Sequence, residues 1–168
     1  QAIAALIVLH LERDFPAAAG AIARALELNN SSAIAYFIGS HVHAFGGEVA
    51  TARDYAQRGL RLSPFDALAW IGHQALGLAD LRERHYEEAS GHFAKALQLN
   101  PRFSYLCIVQ TVALALAGRP DEAKAMAKRL LELQPGFQSG PFLGFASFVK
   151  PELLEALTTG LHSAGLPE

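Results

Sequence analysis

The chain has 168 residues, and its 14 Lys and Arg face 16 Asp and Glu for a formal net charge of −2. That balance excludes the dense positive charge needed to grip nucleic acid or an anionic membrane surface. Apolar residues make up 51% of the chain, and Ala (31) and Leu (25) far outnumber Val, Ile and Thr together (17), so an all-α fold with a real core is expected.

Taken in chain order, residues 1–9 already lie inside an apolar helical pattern with no starting Met, so the sequence reads as a piece of a longer protein. Paired helices are expected over 1–12 and 15–29, 32–45 and 48–62, 67–83 and 86–99, and 102–117 and 120–133. The turns between them are marked by Asp14-Phe15-Pro16, Gly46-Gly47, Arg84-His85 and Gly118-Arg119-Pro120. Pro120 suits the first position of a helix, and Asp121 and Glu122 favour its positive end. Phe65 and Trp70 are expected to staple the helix that follows them to the preceding pair. After Pro135 comes an aromatic stretch broken by Gly and Pro (136–150), then a helix with Leu153, Leu154, Leu157 and Leu161 at helical spacing. The apolar runs Ala2–Leu9 and Tyr105–Ala117 fall short of the roughly 20 residues that span a bilayer, so no membrane partner is expected. One cysteine, Cys107, excludes an internal disulfide and fits a small buried hydrophobe in a reducing compartment.

A phrase recurs: Ala25-Leu-Glu-Leu-Asn-Asn30, Gly59-Leu-Arg-Leu-Ser-Pro64, Ala96-Leu-Gln-Leu-Asn-Pro101 and Leu130-Leu-Glu-Leu-Gln-Pro135, with ends 34, 37 and 34 residues apart. A period near 34 marks a helical array of the tetratricopeptide type. The third unit carries the family's pattern as His73-x2-Leu76-Gly77-x2-Asp80, then Ala89-x3-Phe93, then Pro101, with Asp80 standing where the pattern has Tyr. The chain therefore resembles the tetratricopeptide repeat family across nearly its whole length. That resemblance implies a right-handed α-α superhelix of about four helix pairs plus a capping helix. Its units are 1–30 (partial or atypical), 31–64, 65–101 and 102–135, followed by a connector at 136–150 and a capping helix and tail at 151–168. Small residues are expected where paired helices meet: Ser40 with Ala52, Gly77 with Ala89, Thr111 with Ala123. The three extra residues before 101 are expected to lengthen the 67–83 helix by about a turn.

A narrower resemblance rests on Arg61-Leu-Ser-Pro-Phe-Asp66, Arg84-His-Tyr-Glu-Glu-Ala89, Leu99-Asn-Pro-Arg-Phe103, Ala117-Gly-Arg-Pro-Asp-Glu-Ala123 and the ending from Pro151 to Glu168. These phrases are similar to the C-terminal repeat region of bacterial multidomain signalling proteins that carry a class III adenylate cyclase domain. The resemblance implies a bacterial cytoplasmic parent in which this region docks or senses something and influences an output domain. None of the cyclase carboxylate motifs is recognisable here, and no catalytic constellation, phosphate loop or dinucleotide fingerprint is present.

The family register assigns groove-facing positions on the first helix of each pair. These are Ile34, Phe37, His41 and Phe45, then Ile71, Gln74, Leu78 and Arg82, then Tyr105, Ile108 and Val112, with Ile3, Ile7, His10 and Leu11 in the partial first unit. Arg82 is the one fixed cation in this set, so an apolar partner is expected. The occupant is the chain's own 141–148 stretch with Phe142, Phe145 and Phe148, a second copy in a homodimer, or an apolar protein or peptide segment from elsewhere. The alternatives are that these residues are ordinary core, or that a small apolar ligand binds them. His41 and His43, two apart on a helix, point to different faces, and His73 lies one unit on, so no metal site is expected in the chain, and no cofactor is implied.

Overall fold

A computed structural model describes residues 2–146 and 149–167, and every regular element among them is helical. α1 (Ala2–Ile7) runs into a π-helical turn (Val8–Glu12) that ends at Arg13 in the left-handed region, φ 57°. Then follow α2 (Phe15–Leu28), α3 (Ala33–Gly46), α4 (Val49–Leu62), α5 (Ala69–Arg82), α6 (Tyr86–Leu99), α7 (Ser104–Leu116), α8 (Pro120–Leu133), α9 (Ser139–Ala146) and α10 (Pro151–Ser163). None of these helices is long and apolar enough to cross a membrane.

Local chemistry sets the boundaries. Asp14 caps α2 by accepting the Ala17 N–H at 2.9 Å, and Ser32 caps α3 by accepting the Ala35 N–H at 3.2 Å. α3 ends on Gly47 at φ 83°, a conformation that costs a side-chain-bearing residue dearly and glycine almost nothing. Pro120 opens α8, where its missing N–H leaves no helical bond unmade. Arg119 just ahead of it grips Glu122 through two nitrogens at 2.7 Å and reaches Glu87 at 3.0 Å, fastening the starts of α6 and α8.

The three extra residues do not lengthen a helix. α5 has 14 residues, like α3, α4 and α6, and the surplus sits in the connection over 63–68 and the turn over 83–85. Phe65, in that connection, is 99% exposed and staples nothing; Trp70 instead lies inside α5, packed on Phe37, Ala69 and Ile71. Within the 136–150 stretch, Ser139–Ala146 forms α9.

The chain forms two compact units, Gln1–Ala79 and Asp80–Glu168, with the boundary inside α5. In the first unit α3 is the buried centre, flanked by α1, α2 and α4. Ser40 and Ala52 are fully buried there, as the small-residue reading expects. In the second unit α7 is the buried centre, flanked by α6, α8 and α10, and Thr111 and Ala123 are fully buried. α9 packs on α10, and Ser139 donates twice, from its N–H and its hydroxyl, to the Pro167 carbonyl at 2.7 and 2.8 Å.

Candidate interaction faces

Of the eleven residues expected to line an open apolar groove, eight are buried: Phe37, His41, Phe45, Ile71, Gln74, Leu78, Ile108 and Val112. Ile34 is exposed, and Arg82 and Tyr105 are half-buried. The two units bury their share in different ways.

In the first unit the π-helical turn brings the His10 side chain to α3. His10 Nε2 lies 3.0 Å from His41 Nε2, one ring donating to the other, and Phe45 meets His10 edge-on and His41 at a tilt. Burial drives the His41 imidazole down to about 3, with the neighbouring His10 adding to the effect and Gln74 opposing it. Burial also lowers His10, and it lowers His43 despite Glu48, which accepts from His43 Nδ1 at 2.9 Å. Phe37 is removed from any open face by two glycines. A side-chain carbon at Gly59 or Gly72 would come within 2.7 and 3.0 Å of its ring, so the ring fills the slot they leave. What stays open lies on α1 and beside it: Ile3, Ile7, Leu11 (77% exposed) and Leu28 are exposed, and a hollow of about 340 Å³ is lined by Ile3, Ala25, Leu28 and Ile34.

In the second unit the occupant is α10. It lies on α7 with Leu153, Leu157, Gly160 and Leu161 buried, and a side-chain carbon at Gly160 would come within 2.8 Å of the Val112 Cα. Arg82, its side chain only 5% exposed, pairs with Glu152 of α10 at 3.6 Å. Burial lowers the Arg82 guanidinium, and Glu152 and Tyr105 oppose that shift. Beside this pair a cavity of about 220 Å³ is lined by Leu81, Arg84, Leu116, Glu155 and Thr159 among others. The aromatic stretch plays a smaller part than expected. Phe142 meets Tyr105 at 6.3 Å and Phe137 at 5.9 Å, Phe145 is exposed, and Phe148 lies outside the described residues. The 13-residue α10 offers a continuous leucine stripe that the eight-residue α9 lacks. The Leu153, Leu157 and Leu161 spacing, with Gly160 beside it, was the available signal for this role.

Cys107 sits in the middle of α7, fully buried, and burial pushes its thiol up, the reverse of what a nucleophile needs. Gln110 Nε2 donates to the Ser90 hydroxyl at 3.2 Å, a buried polar link between α6 and α7.

Successive packed helices, with α3 and α7 each buried among their neighbours, make a helical-repeat architecture. Residues 70–103 match the family model described as Tetratricopeptide repeat. The chain is similar to three solved structures over most of its length. They are TTC0263, a thermophilic TPR protein of Thermus thermophilus (22% identity, 96% of this chain and 88% of that one, TM-score 0.67), YrrB, a TPR protein with an unusual peptide-binding site (21%, 94% and 82%, 0.59), and MamA of AMB-1 (19%, 95% and 85%, 0.60). It is also 28% identical over 96 residues to Anaphase-promoting complex subunit 3 of Schizosaccharomyces pombe. That match spans 57% of this chain and 14% of the yeast protein. Together these findings support the tetratricopeptide family at the level of one repeat and of the fold. Proteins built from this repeat act as protein-interaction scaffolds.

Proposed function

We propose that this chain is a protein-interaction module whose α7 face binds an amphipathic helix, and that α10 fills that face in cis. The observation that carries the reading is the seating of α10 on α7: a buried leucine stripe, Gly160 in close approach to Val112, and a carboxylate on Arg82. An external partner with an apolar segment competes for the same contacts, and the peptide-binding site named for YrrB is in keeping with such a role. The phrases shared with the repeat region of bacterial class III adenylate cyclase-like proteins support a regulatory place for the module in the cytoplasm, beside an output domain.

The test uses the full-length chain with Gly160→Leu, which forces α10 off Val112. A fluorescent peptide of residues 150–165 is expected to bind this variant and not the unaltered chain, read by anisotropy, and the same peptide with Leu157→Glu is expected not to bind. Absence of binding to the variant, with its helix content intact by circular dichroism, would make the α7 face ordinary core.

A further inference from the structure

Residues 2–12 are held to the first unit by little apolar burial. In α1 and the π-helical turn only Ala5 and Leu9 are buried, while Ile3, Ile7 and Leu11 face solvent. The helices that follow keep their own supports. Arg13 takes the left-handed region at φ 57°, and α2 then starts on its own cap, with Asp14 accepting the Ala17 N–H and Pro16 in the first turn. Gly39 of α3 lets Tyr55 of α4 and Ile22 of α2 come so close that a side-chain carbon there would lie within 2.8 Å of both. α2 and α4 thus grip α3 through contacts in which residues 2–12 take no part.

A polar hold of this segment on α3 is the imidazole pair, His10 Nε2 to His41 Nε2 at 3.0 Å, beside Phe45. Such a contact needs one bare nitrogen, because one ring donates and the other accepts. A single added proton already puts an imidazolium against buried surface. A second brings two N–H groups and two positive charges head-on. The surroundings do little to offset either charge. α1 contains no charged residue, and α5 supplies Gln74, an uncharged amide that acts on His41. Glu48, ahead of α4, takes His43 instead, and Phe15 of α2 and Tyr55 of α4 meet His43 as well.

We propose that residues 2–12 are an acid-released strap, latched to α3 through His10 and His41. Proton uptake by the pair frees the strap about Arg13 and uncovers α3 around Phe45, while α2, α3 and α4 stay packed. Burial holds both imidazoles below their ordinary value in the closed form, His41 at about 3, so protons go to the open form first and acid favours opening. Through His41 alone the ratio of open to closed strap rises by up to about thirtyfold between pH 7.5 and pH 5, and His10 adds to it. The inference goes beyond the role of α10, since every residue it uses lies in the first unit.

Hydrogen exchange of the full chain, read by mass spectrometry at pH 7.5 and pH 5 with exposure times scaled to the intrinsic rate at each pH, tests the strap. Strap amides are expected to lose protection by about tenfold or more at pH 5, while those of α3 and α4 keep theirs. His41→Gln is expected to remove most of that change, and His10→Gln combined with His41→Gln all of it, whereas His43→Gln leaves it in place. Strap amides that are unprotected at pH 7.5, unaffected by acid, or opened only together with α3 would overturn the latch in the unaltered chain. An equal loss of the pH effect in His43→Gln would overturn the assignment to His10 and His41.

Discussion

The two units use the same repeat and close it with different materials. In the first, α3 is covered by α1, α2 and α4, and the π-helical turn adds one imidazole against another beside Phe45. In the second, α7 is covered by a regular helix with buried leucines and a glycine against Val112, and one ion pair joins it to Arg82. The difference teaches that the inner face of such a repeat is not committed to one kind of occupant. A polar aromatic cover and an apolar helical one both satisfy it, and each leaves a distinct thermodynamic trace. The histidine cover makes the first unit sensitive to protons. The leucine cover makes the second sensitive to shape.

The largest way to break this comparison is Phe37→Ala, which empties the slot between Gly59 and Gly72. Neither glycine has a side chain to collapse inward, so the loss is expected at the upper end of the usual range, about 3–5 kcal/mol. Urea unfolding followed by the single tryptophan, Trp70, which packs on the same cluster, measures it directly.

The next effect comes from pH. His41 stays neutral in the folded chain until about pH 3, whereas in the unfolded chain it takes up a proton near its ordinary 6.5. The unfolded state therefore binds more protons between those values. Stability is full above pH 6.5 and falls as pH drops toward 3, by at most about 1.4 kcal/mol per pH unit for this histidine. The lowered His10 and His43 act in the same direction. A loss of about 2 kcal/mol is expected between pH 6.5 and pH 5 from His41 alone, and His41→Gln is expected to flatten that slope in thermal unfolding. An unchanged slope in the variant would place the acid sensitivity elsewhere.

Smallest is Glu152→Gln. Glu152 is 68% exposed and meets Arg82 at 3.6 Å, so solvent screens the pair, and a cost of about 0.5 kcal/mol is expected, fading in high salt. A larger loss would mean that α10 is held by its charge more than by its leucines.

How far the sequence reveals this molecule depends on what each residue encodes. The repeated Leu-x-Leu-polar-Pro phrases are helix ends, set by local rules, and α4, α6 and α8 stop at the second leucine of their phrases. Ser40, Ala52, Thr111 and Ala123 are small because two backbones meet there, and that too is a local statement. The groove was less legible. An apolar residue on a helix announces that it wants cover, and Val112 reads the same whether its cover is an outside partner or α10. The cover is a long-range fact, fixed by Gly160 some fifty positions on, and glycine in a helix looks like a defect until its neighbour is known. His10 posed the reverse difficulty, because a regular helix would have carried it past His41, and only the π turn aims it there.

Cys107 has a practical meaning beyond its packing. It is the chain's single thiol, fully buried in α7, and burial disfavours its thiolate. An alkylating reagent can reach it only when α7 loosens from the helices packed around it, so the modification rate reports the frequency of that opening. The second unit thus carries its own clock: slow labelling means a settled cover, and a burst of labelling on adding a partner marks the moment α7 changes hands.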